Sequence, residues 1–126
     1  MKEEDFFKEK RKFERYGLKA RGEVCFESGK RYKGIFNDIS VAGTYFECPG
    51  IEDDAVNLFV TMSMDAVIKG ELRKMVAECK IVRATDTGVG ILFGMMNEVS
   101  KGTFHALMQE LRDNLVQDGL MKDYFE

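Results

Sequence analysis

The sequence contains few of the residues that build catalytic and metal sites. It has one histidine and three cysteines, and the cysteines, Cys25, Cys48 and Cys79, lie far apart without a CxxC pair. Neither a disulfide framework nor a zinc site is therefore indicated, and we expect buried thiols. His105 has no second histidine or nucleophile near it in the chain, so we assign it a structural or surface role. The sequence shows no acid–base pair or activated nucleophile. We therefore expect that the protein is not an enzyme, is not a flavin-dependent split barrel and has no cofactor.

Long hydrophobic runs are also missing. The longest apolar runs, such as 56–62 and 89–93, are far shorter than the roughly 20 residues that span a bilayer, and the first residues show no signal-peptide pattern. We therefore expect no membrane span and a cytoplasmic location. The excess of charge is small, with a net charge of −3 and a pI of about 5.3. This balance argues against broad adhesion to nucleic acid or anionic membranes, and we expect no DNA partner, although a local basic patch stays possible.

The length and composition fit one globular domain, because a chain of 126 residues that is 44% hydrophobic and 33% charged can form one core. We divide the chain into an N-terminal arm or short helix (1–18), a β-barrel (19–96) and a C-terminal helix (97–119). Short β-branched and aromatic stretches bounded by turn residues predict strands. They are 19–27, 32–39, 44–48, 56–62, 67–83 with a bend near Gly70, and 89–94. Turns at 28–30 and 86–88 contain the glycine that tight hairpins favour. The predicted fold is mainly β, a six- or seven-stranded antiparallel barrel with a C-terminal α-helix across an open end.

The helix is predicted from a change of period after Met96. Apolar residues recur at helical spacing at Phe104, Leu107, Met108, Leu111 and Leu115. Asn97 or Ser100 can act as the N-cap and Gly119 as the C-terminal stop.

Two short motifs carry the candidate binding residues. The first is RxxxR, from Arg11 to Arg15, and the second is DxSxxG, with Asp38, Ser40 and Gly43. Each motif alone has an ordinary structural explanation. Two arginines four residues apart can lie on a solvated helix face, and Asp and Ser often cap backbone amides in turns.

In this order, separated by one hairpin, the two motifs resemble the signature of the PilZ family. The resemblance covers about residues 10–94, with softer matches at Gly34, at 82–83 and in the closing strand 88–93. It implies a PilZ-like split barrel that binds the bacterial second messenger cyclic di-GMP and signals to an unidentified downstream protein. Motility, biofilm or exopolysaccharide control are the outputs implied by the family.

The expected ligand, with two phosphodiesters and two guanines, suits these residue types. Arg11 and Arg15 can grip phosphate and the guanine O6/N7 edge bidentately. The carboxylate of Asp38 can accept from guanine N–H donors, the Ser40 hydroxyl can bond to base or phosphate, and Gly43 allows close backbone approach. An arm that orders around the nucleotide would provide the conformational output.

Two further residues and two rival functions complete the prediction. Many family members have arginine where this chain has Lys10, a position that influences the number of nucleotides bound, and Arg83 ends a strand near the expected site. For the oligomeric state, the sequence is compatible with a monomer and with a homodimer. One alternative is an adaptor of the same fold without nucleotide binding. The other is a small barrel that binds RNA or single-stranded DNA through aromatics on its strands, namely Tyr45, Phe46 and Phe59.

Overall fold

Six antiparallel strands form a closed barrel in the computed structural model, which describes residues 14–117. The strands are β1 (Tyr16–Phe26), β2 (Arg31–Ile39), β3 (Gly43–Glu47), β4 (Phe59–Ile68), β5 (Glu71–Ala84) and β6 (Gly88–Phe93), followed by helix α1 (Glu98–Gln117). Their order around the barrel is β1-β2-β3-β6-β5-β4. The predicted mainly-β barrel with a C-terminal helix is thus confirmed, with six strands.

Glycine turns set the hairpins. Between β4 and β5 the backbone has φ of 51° at Lys69 and 81° at Gly70, the combination of a two-residue hairpin turn. Ile68 pairs with Glu71 on either side of it. The predicted bend near Gly70 is therefore a full reversal, and the stretch 67–83 is divided between two strands.

The barrel core is filled by aromatic rings and methionines. Phe36 and Phe46 are fully buried with ring centres 4.7 Å apart, and Met62, Met64 and Met75 are fully buried around them. Flexible thioethers fill irregular gaps in such a core. Cys48 and Cys79 are buried free thiols, as expected, whereas Cys25 is half-buried.

Helix α1 packs on β4 and β5 and is fixed at its start by polar contacts. The Asn97 side chain accepts from the Ser100 N–H at 2.8 Å, so Asn97 is the N-cap. The Ser100 hydroxyl accepts from the Val76 N–H of β5 at 3.0 Å. Leu107 and Met108 are buried in the core cluster. No helix within residues 14–117 has the length and apolar composition needed to cross a membrane.

Bulges in three strands decide which side chains face outward on one part of the barrel. Register shifts occur in β1 between Gly17 and Ala20, in β2 between Phe36 and Asp38, and in β5 between Ile81 and Arg83. Residues i and i+2 of a regular strand share a face, so if β2 and β5 had no bulge Asp38 would face the core like Phe36, and Arg83 like Ile81. The bulges therefore bring both charged side chains to the outer surface.

Candidate functional site

Four paired residues form a row across the outside of the barrel. Asp38 of β2 pairs with Tyr45 of β3, Tyr45 pairs with Gly90 of β6, and Gly90 pairs with Arg83 of β5. We call Asp38, Tyr45, Gly90 and Arg83 the cross-strand row. Arg15, just before β1, extends it through an ion pair with Asp38 at 3.3 Å. A cleft of about 330 Å³ is lined by Arg15 and by three members of the row, Tyr45, Gly90 and Arg83.

Asp38 is held in place from several directions. Its Oδ1 accepts from the backbone N–H of Tyr45 at 3.0 Å and from Arg15 at 3.3 Å. Its carbonyl oxygen accepts from the Thr44 hydroxyl at 2.6 Å. Its Oδ2 accepts no hydrogen bond from any residue within 14–117, and 31% of its side chain is exposed. One carboxylate oxygen is thus oriented and accessible for the N–H donors of a ligand.

Arg83 lies over Tyr45 at the other end of the row. Its guanidinium carbon is 5.7 Å from the centre of the tyrosine ring, which is cation–π distance. The tyrosine hydroxyl is bonded to the hydroxyls of Thr85 and Thr87, at 2.7 Å and 2.6 Å. Gly90 lies between the two long side chains and contributes none of its own, so it forms the open floor of the cleft.

The DxSxxG turn positions the start of β3. The Ser40 hydroxyl is 2% exposed and accepts from the N–H groups of Ala42 and Gly43, at 3.1 Å and 3.3 Å. A Cβ on Gly43 would lie 2.0 Å from the carbonyl oxygen of Ile91, so only glycine fits there. Ser40 and Gly43 therefore shape the turn between Asp38 and Tyr45. Their direct contact with a nucleotide stays a prediction.

The structure brings together only part of the predicted set. Arg15, Gly43 and Arg83 line one cleft, and Asp38 lies beside it through its ion pair with Arg15, whose side chain is 60% exposed. Lys10 and Arg11 lie outside the described residues, as does most of the predicted arm. Sequence reasoning did not assign Tyr45, Gly90, Thr85 or Thr87 to this site, because their proximity depends on pairing between strands that are distant in the chain.

Polar side chains bring the end of the RxxxR motif close to helix α1. Tyr16, buried at the start of β1, donates its hydroxyl hydrogen to the carboxylate of Glu14, which lies inside the motif. The Tyr16 hydroxyl raises the pKa of Arg112 of α1, which places Arg112 near this pair. The helix therefore lies close to the residue that follows Arg15.

Polar and charged side chains also line a larger cavity on another part of the barrel, about 560 Å³ in volume, which includes Arg21, Lys33 and Lys74. Within the described part of the chain, no group of three or more His, Cys, Asp or Glu side chains is placed to hold a metal ion. Another cavity of about 480 Å³ lies elsewhere, beside Phe59 and Met95. Phe46, a candidate for base stacking, is fully buried in the core.

Comparisons with known proteins point to one family. The profile of the PilZ domain matches residues 9–110, and a search of curated proteins finds no match. Among solved structures, the chain is similar to the PilZ domain of CeSA from a cellulose-synthesizing bacterium. The TM-score is 0.59 at 16% identity, over 79% of this chain and 96% of that one.

It is also similar to the Bacillus subtilis inhibitor of motility MotI/DgrA. Here the TM-score is 0.70 at 12% identity, over 85% of this chain and 52% of that one, so this chain spans about half of that protein. At these identities the structures support the fold alone. The family profile, however, covers most of the chain, including Arg15, the DxSxxG turn and the whole cross-strand row. The chain therefore belongs to the PilZ domain family.

Proposed function

We propose that the cleft along the cross-strand row binds cyclic di-GMP and that the protein is a sensor which passes the bound state to a downstream protein. The observation that carries the proposal is one open cleft lined by Arg15 and Arg83, with Asp38 paired to Arg15 beside it. These residues come from three separate parts of the chain. Family membership supports the same ligand.

The two arginines suit a dianionic dinucleotide. A guanidinium group is planar and always charged, so it binds a phosphate or the O6/N7 edge of guanine through two parallel hydrogen bonds. Arg15 stands at one end of the cleft and Arg83 at the other. Arg11, four residues before Arg15, is proposed as the partner of Arg15 on the same nucleotide, and Lys10 as the residue that affects stoichiometry.

Asp38 is proposed to bind the edge of guanine that carries the hydrogen-bond donors. Guanine has N–H donors at N1 and N2, and a carboxylate has only acceptors. Because Oδ1 is already used by Tyr45 and Arg15, Oδ2 is the oxygen proposed to accept from guanine. An adenine presents no equivalent pair of donors, so this contact favours guanine over adenine.

The proximity of Glu14, Tyr16 and Arg112 offers a route for the signal. Glu14 directly precedes Arg15, so a backbone change on nucleotide binding at Arg15 would also move Glu14. Glu14 accepts from Tyr16, and Tyr16 lies near Arg112 of α1. A change in the RxxxR segment thereby reaches a helix on the outside of the barrel, where a partner protein can respond to it.

Calorimetric titration of the purified protein tests the proposal. We expect selective binding of cyclic di-GMP over GTP and cyclic di-AMP. One bidentate arginine contact contributes about 1–3 kcal/mol, so Arg15→Ala should weaken binding by about tenfold to a hundredfold. Asp38→Asn should weaken it as well and should reduce the preference for guanine.

Arg31→Ala is the matched control. Arg31 is also an exposed arginine, paired with Glu23 at 3.4 Å, but it lies at the far end of β2. Its removal should leave the affinity unchanged. The ligand is tested up to about a millimolar, well above the dissociation constants of specific complexes. If neither heat nor thermal stabilisation is seen at that concentration, the sensor function is ruled out and the adaptor that does not bind nucleotide remains.

A further inference from the structure

We propose that Tyr45 is the positioning residue of this cleft, holding Arg83 in the orientation in which it meets a nucleobase. The inference rests on the proposed function, because it concerns the same site. It adds a residue that lies outside both sequence motifs. Tyr45 contacts both halves of the cleft, through its backbone and through its side chain.

The register of the strands places Tyr45 and Arg83 two strands apart on the same face. Neighbouring strands are spaced by about 4.8 Å, so their backbones are separated by about 10 Å. Gly90 lies between them and is paired to both. Because Gly90 has no side chain, the long side chains extend toward each other across it and stack at 5.7 Å.

The Arg83 side chain extends over Gly90. A Cβ at position 90 would lie 3.5 Å from Cβ and 3.7 Å from Nε of Arg83. These are ordinary contact distances, so the arginine stem lies directly over the glycine. Arg83 therefore has the glycine beneath it and the tyrosine ring beside it.

No other strong contact of Arg83 is present within residues 14–117. The ion pairs formed there involve Arg15, Arg31, Lys74 and Lys101, and none involves Arg83. An exposed arginine without a carboxylate partner samples many rotamers, and fixing it on binding costs about 2 kcal/mol of side-chain entropy at most. Stacking on Tyr45 reduces that loss, since the guanidinium plane is oriented before the ligand arrives.

The tyrosine ring is itself fixed at both ends. Its hydroxyl is bonded to Thr85 and Thr87 of the β5–β6 turn, and its backbone N–H donates to Asp38. We infer that a guanidinium group held in this way stacks on a purine ring, since guanidinium groups stack on flat π-systems. Tyr45 thus connects the acidic residue proposed to read one guanine edge with the arginine proposed to stack on a base.

A double-mutant cycle on cyclic di-GMP affinity separates positioning from general structural support. In the wild-type background, Tyr45→Leu should weaken binding by about fivefold, the amount that corresponds to an exposed cation–π contact. In the Arg83→Ala background the same substitution should have an effect of less than about twofold, because the residue that it positions is gone. Tyr45→Phe keeps the ring but loses the hydrogen bonds to Thr85 and Thr87, so it should weaken binding less than Tyr45→Leu.

The Phe59/Lys80 pair provides the matched control. It also has a cation near an exposed ring, 5.9 Å from its centre, on another part of the barrel, although these two residues are directly paired. Phe59→Leu should not change affinity. The Arg83 Nε–H resonance, recorded by NMR without ligand, should show a ring-current shift that disappears in Tyr45→Leu. If the wild type binds and the losses from Tyr45→Leu and Arg83→Ala are additive, the positioning role is wrong while the sensor stands. If the wild type does not bind, the sensor proposal fails, and the role proposed for Tyr45 fails with it.

Discussion

Gly43 shows how one residue without a side chain can be required by packing between strands. The nearest obstacle is the carbonyl oxygen of Ile91 on the paired strand β6, 2.0 Å from an added Cβ. This atom belongs to the backbone and cannot move as a side chain would. A substitution at Gly43 therefore has to separate β3 from β6, at the centre of the candidate site.

We predict that Gly43→Ala lowers the free energy of unfolding by about 1–3 kcal/mol or more, the range typical of overpacking. Gly17→Ala is the control, since a Cβ there meets nothing within 4 Å in a strand of the same barrel. Chemical denaturation of both variants measures the difference. Equal midpoints for Gly43→Ala and Gly17→Ala would show that β3 and β6 are less closely packed than the structure indicates.

Some of the candidate binding residues could be predicted from the sequence. Arg15 and Asp38 belong to motifs whose order along the chain, separated by one hairpin, suggested proximity, and they do form an ion pair. Tyr45 gave no comparable signal, since one aromatic residue in a strand usually indicates packing. Its role became visible only when the pairing of β3 with β6, and of β6 with β5, was known.

The strands and the helix were predictable at the scale of elements, but the bulges were not. Glycine-containing turns and apolar alternation indicate where strands start and stop. A bulge depends on the partner strand, because one strand has an extra residue only relative to its neighbour. Asn37 and Val82 are these extra residues in β2 and β5. Val82 is an ordinary strand residue, and Asn37, although uncommon in strands, does not by itself indicate a bulge.

Helix α1 should respond to ligand through Tyr16. We predict that cyclic di-GMP changes hydrogen exchange of the amides around Arg112, and that Tyr16→Phe reduces this change while leaving binding largely intact. The reason is that the variant keeps the buried ring but removes the hydroxyl that donates to Glu14 and lies near Arg112. Exchange measured by mass spectrometry, with and without ligand, gives the comparison.

Tyr32→Phe is the control for this experiment. Tyr32 is half-buried and packs edge-on against Phe26, with ring centres 5.5 Å apart, away from α1. Its substitution should leave the response of the helix intact. A ligand response of α1 that is the same in Tyr16→Phe and in wild type would exclude the hydroxyl as the connection.

At the scale of the whole molecule, the residues that stabilise the barrel are separate from those proposed to bind the nucleotide. The interior is occupied by apolar side chains, while the cross-strand row and Arg15 lie on the outer face. Bulges in β1, β2 and β5 all border this face. A surface of this kind can change its polar residues without disturbing the core.

The most direct test of the central claim is to follow backbone amide resonances by NMR while cyclic di-GMP is added. The largest shifts are predicted for Asp38, Tyr45, Gly90 and Arg83 and for the segment that leads into β1, with little change around Phe59 and Met95 on the other cavity. Shifts concentrated at the Phe59 cavity, or none at about millimolar ligand, a concentration that detects even weak complexes, would contradict the assignment of the cross-strand row as the nucleotide site.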